Sequence, residues 1–169
     1  MRTAHRENDY WRIRDFLREV FLLNGRRELS WQVYRFDCWR WHGFENMGHH
    51  CMEEDVFLWE TGGGRIAAVL NPEGRGQAFL QVHPRHRTSG LEEEMLLVAE
   101  KYLAHGHPDG RHKLRVWAHE QDDLRKDVLT RHGYTKGDEP EYQRRRSLSG
   151  ESARPIPDGP VPELSLIHI

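Results

Sequence analysis

The residues best suited to chemistry form a loop between an apolar strand and an amphipathic helix. The segment reads Val82-His-Pro-Arg-His-Arg-Thr-Ser-Gly-Leu91, with Arg87 and Gly90 three positions apart. A strand that enters a glycine-bearing turn and then a helix presents unpaired backbone N–H groups at the positive end of the helix dipole. Such a turn suits a phosphate group, so the loop is a candidate anion-binding site.

Composition and charge exclude several other classes of function. The chain has 169 residues, 37% of them hydrophobic, and its formal net charge is -2. This length and composition predict one soluble folded domain. No polybasic tail, long apolar run or signal peptide is present, so we expect no binding to nucleic acid or to a membrane. Two cysteines argue against a disulfide framework and favour a cytoplasmic location.

Apolar residues at helical spacing predict two helices near the N-terminus. In the first helix, which ends at Asn24-Gly25, they are Tyr10, Ile13, Phe16, Leu17, Val20 and Phe21. In the second helix, capped by Ser30, they are Trp31, Tyr34, Cys38 and Trp41. Each set lies on one face of its helix, so we expect both faces to be buried.

Short strands and further helices follow. Strands at 56–59, 66–70 and 78–82 have tight connections, which predict an antiparallel meander. Next come a helix at 90–103 with Leu91, Met95, Val98 and Tyr102 on one face, a strand at 114–118, a helix from Asp122 or Asp123 to Gly133, and a strand at 141–148. The order α-α-β-β-β-α-β-α-β predicts an α+β fold with a mixed α/β sheet. Residues 1–148 form the predicted domain, and 149–169 form a Pro-, Gly- and Ser-rich linker or tail.

This order, together with Val82…Pro84…Arg87-x-x-Gly90-Leu91, resembles the GNAT-family N-acetyltransferases, and Gly133-Tyr134 matches the family's glycine-aromatic helix ending. The resemblance covers residues 10–148. It implies the acyl-CoA N-acyltransferase fold and transfer of an acetyl group from acetyl-CoA to a small-molecule or peptide amine, without a metal.

The resemblance also implies where acetyl-CoA binds. The cofactor-binding candidates are the backbone at Val82 and the loop residues Arg87, Thr88, Ser89, Gly90 and Leu91. The pyrophosphate is expected on the loop, and the pantetheine between the strands at 78–82 and 114–118.

Departures from the family pattern affect the cofactor loop. Glu92 stands where the family favours a small residue close to phosphate, and Glu93 and Glu94 follow it. Three carboxylates would oppose a bound pyrophosphate. The alternative interpretation is that all three belong to a first helical turn that faces water, where acidic residues suit the helix dipole.

Other departures leave the catalytic residues unassigned. Leu129 stands where many members have a tyrosine acid, and it cannot donate a proton. Asp122 or a neighbour replaces a frequent asparagine. Tyr134 is either a substitute acid or a core residue. Glu60 is either the base that deprotonates the amine or a solvated carboxylate.

The order of the elements fits the family better than the cofactor loop does. This difference favours the interpretation that the chain is the N-terminal, catalytically weak half of a tandem GNAT protein. Residues 155–159 resemble a linker into a second GNAT domain, which is then a missing partner. Residues 164–169, Leu-Ser-Leu-Ile-His-Ile, are similar to a translated sequencing adapter, which would make the chain a fragment. A genuine short strand is the alternative.

Two alternatives lie outside acetyl transfer. A non-catalytic interaction domain would present exposed tryptophans such as Trp39 or Trp117 to a partner. A small zinc-binding domain would use ligands from Cys38, His42, His49, His50 and Cys51, although their spacing matches no zinc module.

Overall fold

A computed structural model describes residues 1–27, 29–44, 52–106, 110 and 112–138. The chain divides into the units Met1–Thr135 and Lys136–Ile169. The fold described below is that of the first unit. The predicted strand at 141–148 and the predicted linker at 149–169 lie outside the described residues.

Five α-helices and seven short strands make up the described fold. The helices are α1 (Arg6–Leu23), α2 (Val33–Cys38), α3 (Met52–Asp55), α4 (Ser89–Tyr102) and α5 (Asp123–Arg131), and a π-helical segment (Trp39–Phe44) continues α2. The strands are β1 (Arg2–Thr3), β2 (Phe57–Glu60), β3 (Ile66–Asn71), β4 (Gln77–Val82), β5 (His105–Gly106), β6 (His112–Lys113) and β7 (Arg115–Val116).

The main sheet has the strand order β1-β2-β3-β4-β7. Its first four strands are antiparallel neighbours, which confirms the predicted meander, and β7 lies parallel to β4. The two-residue strand β1 and the small β5–β6 hairpin were not predicted, because strands of two residues carry no readable period. The mixed, mostly antiparallel sheet with its helices confirms the α+β class.

Apolar side chains bury both faces of this sheet. On one face, α1, α2 and the π-helical segment pack on strand residues that include Leu58, Val69 and Phe79. On the other face, α4 packs on strand residues that include Ala68 and Leu80. Within the described residues, no helix has both the length and the apolar character that crossing a bilayer requires.

The predicted buried face of the second helix is wrong at three of its four residues, because only Trp31 is buried. Tyr34 and Trp41 are 65% and 51% exposed, and Cys38 is also exposed. The buried side chains are instead Phe36 and Trp39, so Trp39 is not an exposed interface residue. The helix begins at Val33 after the N-cap Gln32, not after Ser30, and its π-helical continuation rotates later side chains relative to an α-helix.

The predicted inner face of helix α4 is confirmed at three of its four residues, because Met95 is buried and the partly buried Leu91 and Val98 pack against the same core. Its N-cap is Thr88. Its buried side chains are Glu92, Met95, Leu96 and Ala99, whereas Tyr102 is half exposed. The apolar period missed the burial of Glu92, because the ion pairs that hold this carboxylate on the inner face cannot be read from local spacing.

Helix α5 ends as its sequence predicts. Gly133 has a φ of 79°, the left-handed conformation in which glycine avoids a Cβ clash. The N–H of Gly133 bonds to the carbonyl of Thr130, and the N–H of Tyr134 bonds to the carbonyl of Leu129. This pair of hydrogen bonds is the Schellman motif, which satisfies carbonyls at a helix end.

Candidate functional site: an open strand edge beside a helix N-terminus

The parallel strands β4 and β7 separate before β4 ends. The carbonyl of Gly76 accepts from the N–H of Arg115 at 2.8 Å, and the carbonyl of Ala78 accepts from the N–H of Trp117 at 3.4 Å. A continued parallel ladder would next join the N–H of Leu80 to the carbonyl of Trp117. That carbonyl instead accepts from Nη1 of Arg125 at 3.4 Å.

The separation leaves an open edge along the end of β4. The N–H of His83 bonds to Ala67 on β3, so the alternate residues Leu80 and Val82 direct their backbone groups away from β3. Within the described residues, these groups have no hydrogen-bond partner on the β7 side. Both residues are at most 5% exposed. Buried backbone N–H and C=O groups are nearly always hydrogen-bonded. The unpaired groups of this edge can therefore bind a ligand.

The loop after β4 leads directly into the N-terminus of α4. The hydroxyl of Thr88 accepts from the N–H of Leu91 at 3.1 Å, which caps the helix. The N–H groups of Ser89 and Gly90 have no acceptor in the part of the chain that the structure describes. A Cβ added at Gly90 would meet nothing within 4 Å, so the space beside these amides is open.

Three buried charged side chains and the partly buried Arg87 join the first turns of α4 and α5. We call Arg87, Glu92, Asp122 and Arg125 the charge cluster. Glu92 lies 2.6 Å from Nε of Arg87 and 2.7 Å from Nε of Arg125, and its side chain is 0% exposed. Nη2 of Arg87 also lies 2.6 Å from Asp122, whose carboxylate caps α5. The cluster has no net charge, so each buried ion is compensated.

Arg87 is therefore bound within the charge cluster. Its side chain is 20% exposed, and its guanidinium contacts both carboxylates of the cluster. Burial lowers the pKa of Arg87, but the adjacent charges of Glu92 and Asp122 outweigh burial and raise it. The side chain of this predicted cofactor residue acts on the loop by fixing the first turn of α4.

The three glutamates at the start of α4 have separate environments. The interpretation that all three face water is wrong for Glu92, because the arginines of the charge cluster hold it inside. Glu93 lies 3.0 Å from Nη1 of Arg131, and Glu94 accepts from the indole N–H of Trp59 at 2.9 Å. An anion at the amides of Ser89 and Gly90 would therefore not meet three unpaired carboxylates.

A cleft continues from this helix N-terminus along α5. Its volume is about 440 Å³, and it is lined by Ser89, Leu124, Asp127, Thr130 and Arg131. Arg131 donates to the hydroxyl of Ser89 at 2.7 Å, so a positive group stands beside the loop.

Neither Leu129 nor Tyr134 offers a free proton to the departing thiolate. Leu129 is half-buried on α5 and has no ionisable group. The hydroxyl of Tyr134 donates to Glu100 at 3.1 Å. Burial and the charge of Glu100 raise the pKa of Tyr134. Glu100 is eleven positions after Ser89, which places it about 16 Å along the helix from the loop.

Glu60 is not a suitable base. It accepts from Arg2 at 2.9 Å and from Arg12 at 2.6 Å. The hydrogen bond from Arg2, followed by that from Arg12, lowers the pKa of Glu60 to about 2. Both arginines also bind Asp9, whose side chain is 2% exposed. A carboxylate held this way has little tendency to take a proton from an amine near neutral pH.

The candidate zinc ligands are only partly described. Cys38 and His42 are both exposed. His49, His50 and Cys51 lie outside the described residues. Among the residues that the structure describes, no group of three or more His, Cys, Asp or Glu side chains is placed to hold a metal ion.

The sequence did not identify Arg125 or Leu80 as site residues. The spacing of Asp122 and Arg125 is a common pair on one helix, but Glu92 is 33 residues away from Arg125 and no local pattern links them. The chain was also compared with protein-family models and with curated proteins, and neither comparison finds a match.

Proposed function

We propose that this domain is a GNAT-type N-acetyltransferase domain that binds acetyl-CoA along the open edge of β4. The observation that carries the proposal is the end of the β4–β7 ladder at Ala78 and Trp117, which leaves the buried backbone groups of Leu80 and Val82 unpaired. The amide groups of a pantetheine chain can pair with such an edge as an added strand does.

The loop supports the same assignment. The amides of Ser89 and Gly90 lie at the positive end of α4 and suit the pyrophosphate of acetyl-CoA. Gly90 leaves space for a phosphate to approach the backbone. The neutral charge cluster removes the repulsion that Glu92 would otherwise cause. Val82, Thr88, Ser89 and Gly90 are thus proposed to bind through their backbone and Arg87 to fix the loop, whereas the N–H of Leu91 is bonded to the hydroxyl of Thr88.

The reaction that follows is direct acetyl transfer. The lone pair of a neutral amine forms a bond to the thioester carbonyl carbon, the carbon–sulfur bond breaks, and the thiolate gains the proton that the amine loses. A backbone N–H directed at the carbonyl oxygen stabilises the negative charge that develops there. The N–H of Leu80, at the point where the strands separate, is the proposed donor.

Proton transfer is proposed to use water. Glu60 and Tyr134 are both bound in other interactions, and Leu129 has no proton to give. The amine must then arrive in its neutral form. Acetyl transfer should therefore become faster as pH rises towards the pKa of the acceptor amine.

Isothermal titration of the full chain with acetyl-CoA tests the proposal. We expect micromolar binding, and a weaker interaction with acetyl-pantetheine, which lacks the pyrophosphate. Absence of heat at millimolar acetyl-CoA would overturn the proposal and favour a non-catalytic domain. Release of free thiol in the presence of an amine panel then tests transfer itself.

A further inference from the structure

The ladder between β4 and β7 lengthens before it stops. The N–H of Arg115 bonds to the carbonyl of Gly76 at 2.8 Å, whereas the N–H of Trp117 bonds to the carbonyl of Ala78 at 3.4 Å. In the part of the chain that the structure describes, no bond then joins the N–H of Leu80 to the carbonyl of Trp117. The separation of the two strands therefore begins at Trp117.

Trp117 nevertheless keeps a side-chain contact with β4. Its ring stacks on the ring of Phe79, with centroids 5.7 Å apart and planes 15° apart. Phe79 lies on β4 directly before Leu80, whose N–H a continued ladder would bond. The side chains thus remain together where the backbone bond is lost. This combination indicates a local cause at the carbonyl of Trp117.

The carbonyl of Trp117 contacts a side chain that α4 holds in place. Nη1 of Arg125 donates to this carbonyl at 3.4 Å. Nε and Nη2 of the same guanidinium donate to the two carboxylate oxygens of Glu92 at 2.7 and 3.0 Å. A bidentate pair of this kind fixes the orientation of the planar guanidinium. The side chain of Arg125 is also only 5% exposed, so it has little freedom to leave the carbonyl.

The backbone of Arg125 is fixed as well. Its N–H bonds to Oδ1 of Asp122, the N-cap of α5, at 3.2 Å. Residues 118–121 connect Trp117 to this N-cap, and a bond of 2.9 Å from the N–H of Asp122 to the carbonyl of His119 closes the connection. The short connection returns the first turn of α5 to the end of β7. The guanidinium is therefore positioned by α4 and α5 together.

We propose that Arg125 is a positioning residue that keeps β4 and β7 apart at the open edge, because it holds the carbonyl of Trp117 away from the N–H of Leu80. Without the guanidinium, this carbonyl and this N–H form the next bond of the ladder. Leu80 then has no N–H to offer a ligand. The effect on the strands is independent of acetyl transfer, whereas its consequence for acetyl-CoA rests on the proposed function.

Two double variants separate Arg125 from the rest of the charge cluster. Glu92→Gln/Arg125→Met and Glu92→Gln/Arg87→Met each remove one carboxylate and one arginine, so the cluster stays neutral. Removing both members of a buried ion pair is less damaging than leaving one charge unpaired. The first variant removes the contact with the carbonyl of Trp117, whereas the second variant keeps Arg125.

Amide hydrogen exchange of the full ¹⁵N-labelled chain, without ligand, measures the state of the edge. We expect the N–H of Leu80 to exchange about tenfold more slowly in the Arg125 double variant than in the Arg87 double variant, because a new hydrogen bond protects it. General destabilisation would make exchange faster, so a merely structural role of Arg125 cannot produce this result. Equal or faster exchange at Leu80 in the Arg125 double variant would overturn the proposal.

Single lysine variants repeat the comparison without changing any charge. Arg125→Lys and Arg87→Lys both keep a cation beside Glu92, so they remain informative if a double variant does not fold. A lysine ammonium cannot form the forked pair and contact the carbonyl through another nitrogen. Exchange at Leu80 should again be slower in the Arg125 variant. Equal exchange in the two lysine variants would contradict the role of Arg125.

Two ligands then test the consequence for binding. Acetyl-CoA and acetyl-pantetheine share the pantetheine chain that is proposed to pair with Leu80. Both affinities should fall by about tenfold in Glu92→Gln/Arg125→Met relative to the wild type, because each ligand loses the same backbone partner. A loss confined to acetyl-CoA would place the defect at the phosphate loop and contradict the role of Arg125 at the edge.

The two measurements separate this proposal from the proposed function. If exchange at Leu80 slows as expected while the wild type does not bind acetyl-CoA, the positioning role stands and the transferase proposal fails. If the wild type binds acetyl-CoA while Leu80 exchanges alike in both double variants, the positioning role is overturned and the transferase proposal stands.

Discussion

Nε of Arg125 lies 2.7 Å from Oε2 of Glu92, so a buried ion pair joins the first turns of α4 and α5. The same guanidinium donates to the carbonyl of Trp117, where the β4–β7 ladder stops. One side chain thus connects the helix that begins at the loop with the strand that diverges from β4. The carbonyl at which the β4–β7 ladder stops is thus bonded to a side chain that long-range charge pairing holds in place.

Replacing Glu92 should destabilise the fold strongly. In the variant Glu92→Gln, the arginines of the charge cluster would keep only Asp122 as a carboxylate partner. An uncompensated buried charge costs about 3 kcal/mol or more. Thermal unfolding should show a midpoint lowered by about 10 °C.

The matched control is Glu93→Gln. Glu93 is 34% exposed and pairs with the exposed Arg131, so its loss should change stability by about 0.5 kcal/mol or less. Equal losses in the two variants would show that Glu92 is not held as the charge cluster requires.

Gly90 offers a way to separate folding from cofactor binding. Nothing lies within 4 Å of an added Cβ, so Gly90→Ala should fold normally and gain about 0.5 kcal/mol from its higher helix propensity. In the proposed complex, however, a phosphate occupies that space. Titration calorimetry should show acetyl-CoA affinity reduced about tenfold.

Gly62→Ala serves as the control, because Gly62 also has open space and lies in the turn after β2. Acetyl-CoA should bind this variant as it binds the wild type. Unchanged affinity in Gly90→Ala would place the phosphate elsewhere.

Acid should destabilise the protein through Glu60. The hydrogen bond from Arg2 lowers the pKa of Glu60 to about 2 in the folded chain, whereas an unfolded glutamate has a pKa of about 4.3. The folded state then binds fewer protons, so this stabilisation is present above about pH 4.3 and is lost as pH falls towards 2.

Urea unfolding between pH 6 and pH 2.5 measures the effect. Glu60→Gln should be less stable than the wild type at pH 6 by about 1 kcal/mol, allowing for solvent screening. This difference in the free energy of unfolding should decrease as pH falls. In Glu54→Gln, at an exposed position of α3, the free energy of unfolding should change with pH as it does in the wild type. The same pH dependence in Glu60→Gln as in the wild type would contradict the assignment of the acid effect to Glu60.

Tyr134 should contribute to stability but not to transfer. Tyr134→Phe removes the hydrogen bond to Glu100 and should cost about 1 kcal/mol. With an identified acceptor, kcat should stay at the wild-type value. A general acid contributes about 10²–10⁴-fold, so a loss of that size would make Tyr134 catalytic after all.

The sequence predicted the elements whose period is regular. The apolar spacing in α1 and the Asn24-Gly25 stop agree with a helix that ends at Leu23. The three meander strands agree to within one residue at each end. These features depend on local spacing, which a single sequence contains.

Features set by distant contacts could not be read in this way. The burial of Glu92 in α4 depends on its ion pairs with arginines 5 and 33 residues away. The burial of Trp39 depends on where a helix starts and on its π-helical continuation. The loop around Gly90 was predicted as a site, but the contact of Arg125 with the carbonyl of Trp117, where β4 and β7 separate, was not.

Hydrogen exchange at the open edge tests the central proposal most directly. The N–H groups of Leu80 and Val82 should exchange faster in the free protein than that of Gln81, which lies on the side paired with β3. Saturating acetyl-CoA should slow exchange at Leu80 and Val82 and leave Val69 on β3 unchanged. Unchanged exchange at Leu80 and Val82 in the presence of bound acetyl-CoA would contradict the proposed binding edge.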